Sequence, residues 1–367
     1  MSFISRLICR ENILPKALKA VKANGYPVVL CGVTAYGAAL SRYMHSLGID
    51  VDMVAVNRKF VSFRPEFLGK KVVALEDVMA DKGKFNYIIA FMRFSAMQFV
   101  EMQHNAAEIV YSDCLFLESN NDQPMTYDYC LHRTEELEWL ENNLEDELSK
   151  QTIAAFLNQR LTGEPWHYQK VYCSESQYFL PSIMDLKKHG IFLDCGAYDG
   201  DSVLGFVHHK KMLDSSTSPL IYAFEPDETL FKRFNLNTKD VANCKAFKLG
   251  IGEQKETVKF NPDYYGGSKV SDDGAVTIDI DSIDNILKGE KADYIKMDIE
   301  GSELAALRGA QNTIKEYKPD LAVCLYHKYE DPFVIPHYVK SLNSSYKLFI
   351  RGHQENGSTE LVLYAVN

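Results

Sequence analysis

Ile191-Phe192-Leu193-Asp194-Cys195-Gly196-Ala197-Tyr198-Asp199-Gly200 is a short apolar run that breaks into a glycine-bearing turn. An apolar run of this length bounded by a turn reads as a buried strand, and residues 201–212 behind it carry a helical pattern. Such a turn gathers backbone N–H groups at a helix N-terminus, and glycine lets a ligand approach where a Cβ would collide. Working downstream, strands are expected over 220–225, 244–249, 256–260, 276–279, 293–298 and 320–326, with helices over 228–237, 302–316 and 333–342. A hairpin of 346–351 with 359–366 closes the chain. That order predicts an α/β fold, a doubly wound sheet finished by antiparallel strands.

Upstream the same pattern begins once more. Pro27 to Cys31 is apolar, Gly32-Val33-Thr34-Ala35-Tyr36-Gly37 turns, residues 38–47 are helical and 51–56 read as a second strand. Further strands over 71–74, 87–91 and 107–111 make residues 1–118 a small parallel, Rossmann-like domain. A polar stretch at Glu118 to Pro124 opens a helical connecting segment, 119–180, in which Leu137, Leu140, Leu144, Leu148 and Ile153 recur at helical spacing. Its end is aromatic, with Trp166, Tyr168, Tyr172, Tyr178 and Phe179, which suits core packing or a lid over a ligand. Residues 181–367 form the second domain. Two domains also follow from length, because 367 residues exceed what one core usually serves.

Composition narrows the function. Apolar residues are 46% and charged residues 25%, as in soluble globular proteins, and no run is long enough for a membrane span. The first residues lack the pattern of a secretory signal, so a cytoplasmic location is expected. The eight cysteines include no Cys-x-x-Cys pair, against both a disulfide framework and a zinc site. A net charge of -10 without a basic, aromatic-laced block argues against nucleic acid and for a small-molecule or carbohydrate partner.

Behind the opening turn, the next strand ends in Ala223-Phe224-Glu225-Pro226-Asp227, placing an acid 31 positions after Asp194 (225 − 194). An acid there stands beside a ribose diol. Gly250-Ile251-Gly252 after the third strand would let an adenine ring lie flat, or would serve as a simple turn. A dinucleotide and S-adenosylmethionine both suit this layout. Carboxylates from Asp194 and Asp199 aimed into the loop would repel a pyrophosphate and complement a cationic methionyl group.

Phe192-Leu193-Asp194-Cys195-Gly196-Ala197-Tyr198-Asp199-Gly200-Asp201, Ala223-Phe224-Glu225-Pro226-Asp227 and Tyr294-Ile295-Lys296-Met297-Asp298-Ile299-Glu300-Gly301-Ser302-Glu303 together resemble the FkbM family of class I methyltransferases. The resemblance runs from about Tyr178-Phe179 to the C-terminus. It implies an O-methyltransferase for hydroxyls of sugars and related scaffolds, with Asp194, Gly196, Ala197, Tyr198 and Gly200 lining the cofactor loop and Glu225 on the ribose. The N-terminal domain resembles small Rossmann-like domains that precede some of these enzymes. Thr34 and Asn57 replace a glycine and an acid of the dinucleotide fingerprint, so a scaffold, homodimerisation or substrate-presenting role is expected.

Methyl transfer from a sulfonium needs an aligned acceptor and a group to take its proton. Asp298 and Glu300 follow a strand at the crevice edge. They could supply a base, hold a divalent ion, or only cap the next helix. His327 ends the neighbouring strand and is the expected general base, having an ordinary pKa near ~6.5. No metal enters the expected site. Lys296, Tyr326, Lys328, Arg351 and His353 are expected to bind the acceptor, although a buried Lys296 would need a carboxylate partner. The competing functions are an NAD- or nucleotide-sugar-dependent oxidoreductase and a non-catalytic scaffold of the same fold.

Overall fold

The protein is described by a computed structural model covering residues 2–8, 13–91, 96–111, 123–163, 166–261, 269–270, 274–354 and 359–367. It divides into two compact units, one of Met1–Glu141, Lys150–Cys173 and Gln354–Glu360, the other of Asn142–Ser149, Ser174–His353 and Leu361–Asn367. Residues 119–180, read above as a connecting segment, are thus shared between the units, and 118–122 lie outside the described residues.

In the first unit, strands β1 (Val28–Cys31), β2 (Met53–Val56), β3 (Glu66–Phe67), β4 (Lys70–Ala74), β5 (Phe85–Ile89) and β6 (Ala106–Tyr111) form one sheet in the order β3-β4-β2-β1-β5-β6. All pairs are parallel except β3 with β4. Alternation along each strand feeds two cores. Val28, Leu30, Val54 and Ile88 pack with Leu18, Val21, Leu40 and Met44 from helices Ile13–Asn24 and Ala35–Ser46. Val29, Cys31, Tyr87 and Ile89 pack with Leu75 and Met102 on the other face. Burial on both faces explains why β1 reads as an uninterrupted apolar run.

The second unit holds β7 (Ile191–Cys195), β8 (Leu220–Phe224), β9 (Cys244–Phe247), β10 (Gly250–Ile251), β11 (Glu256–Asn261), β12 (Lys269–Val270), β13 (Val276–Asp281), β14 (Tyr294–Met297), β15 (Asp320–Cys324), β16 (Lys347–Gly352) and β17 (Leu361–Val366). Seven of these form the main sheet, β16-β17-β15-β14-β7-β8-β9, parallel except that β17 runs antiparallel to both neighbours. Strand order reverses at β7, flanked by β8 and β14, which puts the ligand crevice outside the carboxyl ends of β7 and β14.

Strands expected at 256–260 and 276–279 leave that sheet and form a separate one, β10-β13-β11-β12. Only one of its faces is apolar, with Phe260, Ile278 and Ile280 clustered, the alternation of an antiparallel sheet with a solvated side. The helix expected over 302–316 is two, Glu303–Gly309 and Gln311–Tyr317. Among the described residues no helix is long and apolar enough to cross a membrane.

Candidate functional site

The turn after β7 is built by close backbone approach. Gly196 has φ +83°, and a Cβ there would stand 1.8 Å from the carbonyl oxygen of Asp298. Only glycine lets the ends of β7 and β14 meet this closely. The N–H groups of Gly196 and Ala197 both donate to the Phe224 carbonyl, at 3.1 and 2.9 Å. Tyr198, also left-handed at φ +47°, then donates its N–H to Glu225 Oε2 at 3.0 Å, while the Asp227 N–H reaches Oε1 at 2.8 Å. Gly200, at φ +95°, leads into helix Asp201–Leu213. Burial pushes the Glu225 carboxyl up to about 7 against the pull of those two donors.

Asp194 does not line this loop as expected. Its side chain is fully buried below the turn, 3.0 Å from Lys296 Nζ, and accepts the Ser202 hydroxyl at 2.5 Å. Lys296 also donates to the Gly196 carbonyl at 2.6 Å. Burial opposes the lysine's charge, but Asp194 and Asp298 outweigh it and hold the ammonium. Lys296 is therefore a strut under the turn and not an acceptor ligand, because a buried charge must spend its donors on its partner. Asp199 is likewise engaged, pairing with Arg233 at 2.8 Å.

At the ends of β14 and β15 a polar cluster forms. Tyr178 donates its hydroxyl to Asp298 Oδ2 at 2.9 Å and Tyr326 donates to Oδ1 at 3.2 Å. His327 Nδ1 lies 2.7 Å from Glu303 Oε1, and its Nε2 lies 3.4 Å from Asp298 Oδ1 and 3.6 Å from Glu300 Oε2. Burial resists charge on the imidazole, yet Glu303, Glu300 and Asp298 raise its pKa well above the ordinary histidine value. His327 stands beside Asp298 at the ends of these strands, and its raised pKa favours the protonated form, which weighs against the expected role of general base. Burial also works against a charged Asp298, which Lys296, His327 and Tyr178 nevertheless keep ionised, its pKa lowered.

This geometry can be set against known proteins. Residues 194–348 match the methyltransferase FkbM domain family. Over this stretch the second unit is similar to the FkbM methyltransferases. Hexuronic acid methyltransferase AglP of Haloferax volcanii is 31% identical over 107 residues, which make up 27% of this chain and 45% of AglP. The match therefore spans less than half of that relative. Methyltransferase FkbM from Methylobacillus flagellatus KT shares the fold, with a TM-score of 0.74 at 22% identity over 100% of this chain and 98% of its own.

Several residues expected at the site stand elsewhere. Gly250 and Gly252 face Ile280, whose side chain would lie 2.7 and 2.9 Å from an added Cβ, so on that side their missing side chains make room for β13. Ile251 is buried between them in β10. Arg351 is buried on β16 and spends its guanidinium on Asp146 at 2.6 Å and Ser149 at 2.8 Å, which removes it from acceptor binding. His353 Nε2 meets the Tyr364 hydroxyl at 2.8 Å, and that oxygen accepts the Tyr178 N–H at 3.0 Å. Lys328 is exposed and lies over Gly301, its Cε 3.1 Å from where a Cβ would be.

The sequence does not single out Tyr178 or Glu303 as members of the polar cluster. Tyr178 enters the sequence reading as one of the aromatics and as the start of the resemblance, and its φ of +71° carries no local signal. Glu303 lies in the motif that carried the family resemblance, but its contact with His327 requires β14 and β15 to be neighbours.

Proposed function

We propose that the protein is an S-adenosylmethionine-dependent O-methyltransferase whose acceptor is a hydroxyl of a sugar acid or a glycan precursor. The observation that carries this reading is Glu225. Two backbone N–H groups fix its carboxylate, one on each oxygen, and each oxygen retains acceptor capacity for one hydroxyl of a ribose diol. The left-handed Gly196 and Gly200 let the adjoining loop pack closely against Asp298 and Thr238, which fixes the backbone that holds Glu225.

Bound here, S-adenosylmethionine supplies a methyl group already activated on a sulfonium. Complementarity to that cation comes from Asp298, Glu300 and Glu303 at the crevice edge, not from Asp194, whose charge Lys296 cancels. Tyr178 and Tyr326 hold Asp298 in place. As the acceptor oxygen takes the methyl, its proton leaves to the carboxylates of the cluster, of which Glu300 is the most accessible at 35% side-chain exposure. AglP's printed substrate, hexuronic acid, supports a sugar acid as acceptor.

The test has two arms. Calorimetric titration of the full-length chain with S-adenosylhomocysteine, NAD and a UDP-sugar should give binding of the first alone. Binding of NAD without the adenosyl ligand would end the reading. Methyl-labelled donor with hexuronic acid acceptors should then yield an alkali-stable ether. An alkali-labile product would move the methyl from a hydroxyl to the carboxylate.

A further inference from the structure

We propose that the carboxyl ends of β14 and β15 form a divalent-cation site, in which Asp298 and Glu303 supply oxygen ligands and His327 a nitrogen, with Glu300 at its solvent edge. Candidate ligand atoms of Asp298, Glu303 and His327 lie within 4.8 Å of one another. Atoms about 2.1 Å from a shared ion stand about 3 to 4 Å apart, so small side-chain rotations complete the set.

Proximity of acids alone would not suffice. Two buried atoms here also lack hydrogen-bond partners, His327 Nε2 and Glu303 Oε2. The His327 side chain is 7% exposed and that of Glu303 is 0%. An orphaned buried polar atom costs about 1–3 kcal/mol, a cost that coordination of that atom to an ion would offset.

Charge points the same way. Three carboxylates surround one imidazole, leaving the cluster at −2 even with the imidazole protonated. A divalent ion exchanged for that proton reduces the deficit to −1. Two carboxylates with one imidazole suit a first-row transition ion such as Mn2+ better than Ca2+, which prefers all-oxygen sets. The ion's use rests on the methyl-transfer reading: it would draw neighbouring oxygens of a sugar acid into place and acidify the hydroxyl to be methylated. Its existence does not rest on that reading.

The experiment is Mn2+ binding to EDTA-stripped full-length protein, with free Mn2+ followed by electron paramagnetic resonance. Saturable uptake of one ion per chain is expected, with nitrogen modulation of the bound-ion spin echo reporting the imidazole without any substitution. His327→Gln and Asp298→Asn should each weaken uptake about 10- to 100-fold, the scale on which metal sites respond to loss of supporting groups. The circular-dichroism spectrum and thermal midpoint of each variant verify that it is folded. Absence of saturable uptake, or bound Mn2+ without nitrogen modulation, would overturn the site. Mn2+ uptake without any S-adenosylhomocysteine binding would overturn methyl transfer and leave the ion site standing.

Discussion

The two units contain the same opening motif, a buried strand, a glycine turn and a helix, yet they equip it differently. In the first unit Gly32, at φ +136°, lies against Ala90, Thr34 caps helix Ala35–Ser46 by accepting the Gly37 N–H, and Asn57 after β2 accepts from Gln98 at 2.8 Å. Each polar group is occupied by a protein neighbour. In the second unit Gly196 meets Asp298, a buried Lys296–Asp194 pair supports the turn, and Glu225 stands after β8 with spare acceptor capacity. The contrast shows that the strand–turn–helix unit is a scaffold. The copy in the second unit differs by a charge held at the carboxyl end of the next strand.

Substituting the two turn glycines should break the comparison most sharply. Gly196→Ala drives a Cβ to within 1.8 Å of a carbonyl oxygen at a left-handed position, where overpacking and backbone strain cost about 2–4 kcal/mol. Calorimetry should show S-adenosylhomocysteine affinity falling about 100-fold, a loss of about 2.7 kcal/mol. Gly32→Ala should lower thermal stability and leave that affinity unchanged. Next in size are the groups after the second strands. Glu225→Gln removes a hydrogen bond to a charged acceptor, worth about 1.5–3 kcal/mol, and should weaken the same ligand about 10- to 100-fold. Asn57→Ala should not move it. Equal losses from the two substitutions would erase the distinction drawn between the units.

Glu225 also gives the comparison a pH signature. Its carboxyl is raised to about 7 in the folded chain, so the folded state holds the proton more tightly than the unfolded state, and this contribution to stability is lost as pH rises from about 4.5 to 7. Ligand affinity runs the other way, because the ribose needs the ionised form. Titrations should find S-adenosylhomocysteine about tenfold weaker at pH 6 than at pH 8, and Glu225→Gln should flatten that dependence. Smallest of all, Thr34→Ala should cost the first unit about 1 kcal/mol of stability, the usual value of an N-cap, with no effect on binding.

Much of this was legible along the chain. The apolar runs of β7, β8 and β14 locate the crevice, and the acid at 225 lies where such a sheet presents it. The second sheet was not legible as separate, because alternation in 256–260 and 276–279 reports strands but not their partners. Nor could local sequence show that Asp194 and Lys296 neutralise each other, which depends on β7 pairing with β14, or that Glu303 would reach His327 and hold its proton. Arg351 was misplaced for the same reason, since its carboxylate partner lies 205 positions away.

That distant partner has a practical consequence. Residues 144–149 lie along β16, where Leu144 bridges Leu348, the Glu145 N–H donates to Leu348 O, and Ser149 Oγ accepts the Ile350 N–H. This segment dresses the outer edge of the main sheet, although the chain then returns to the first unit before resuming at Ser174. A gene fragment starting at Ser174 would strand the Arg351 guanidinium without its carboxylate and bare an edge strand to other chains, and one cut to residues 194–348 would lose Arg351 itself with most of β16 and all of β17. For anyone transplanting the second unit, the transferable segment starts no later than Asn142 and includes β17.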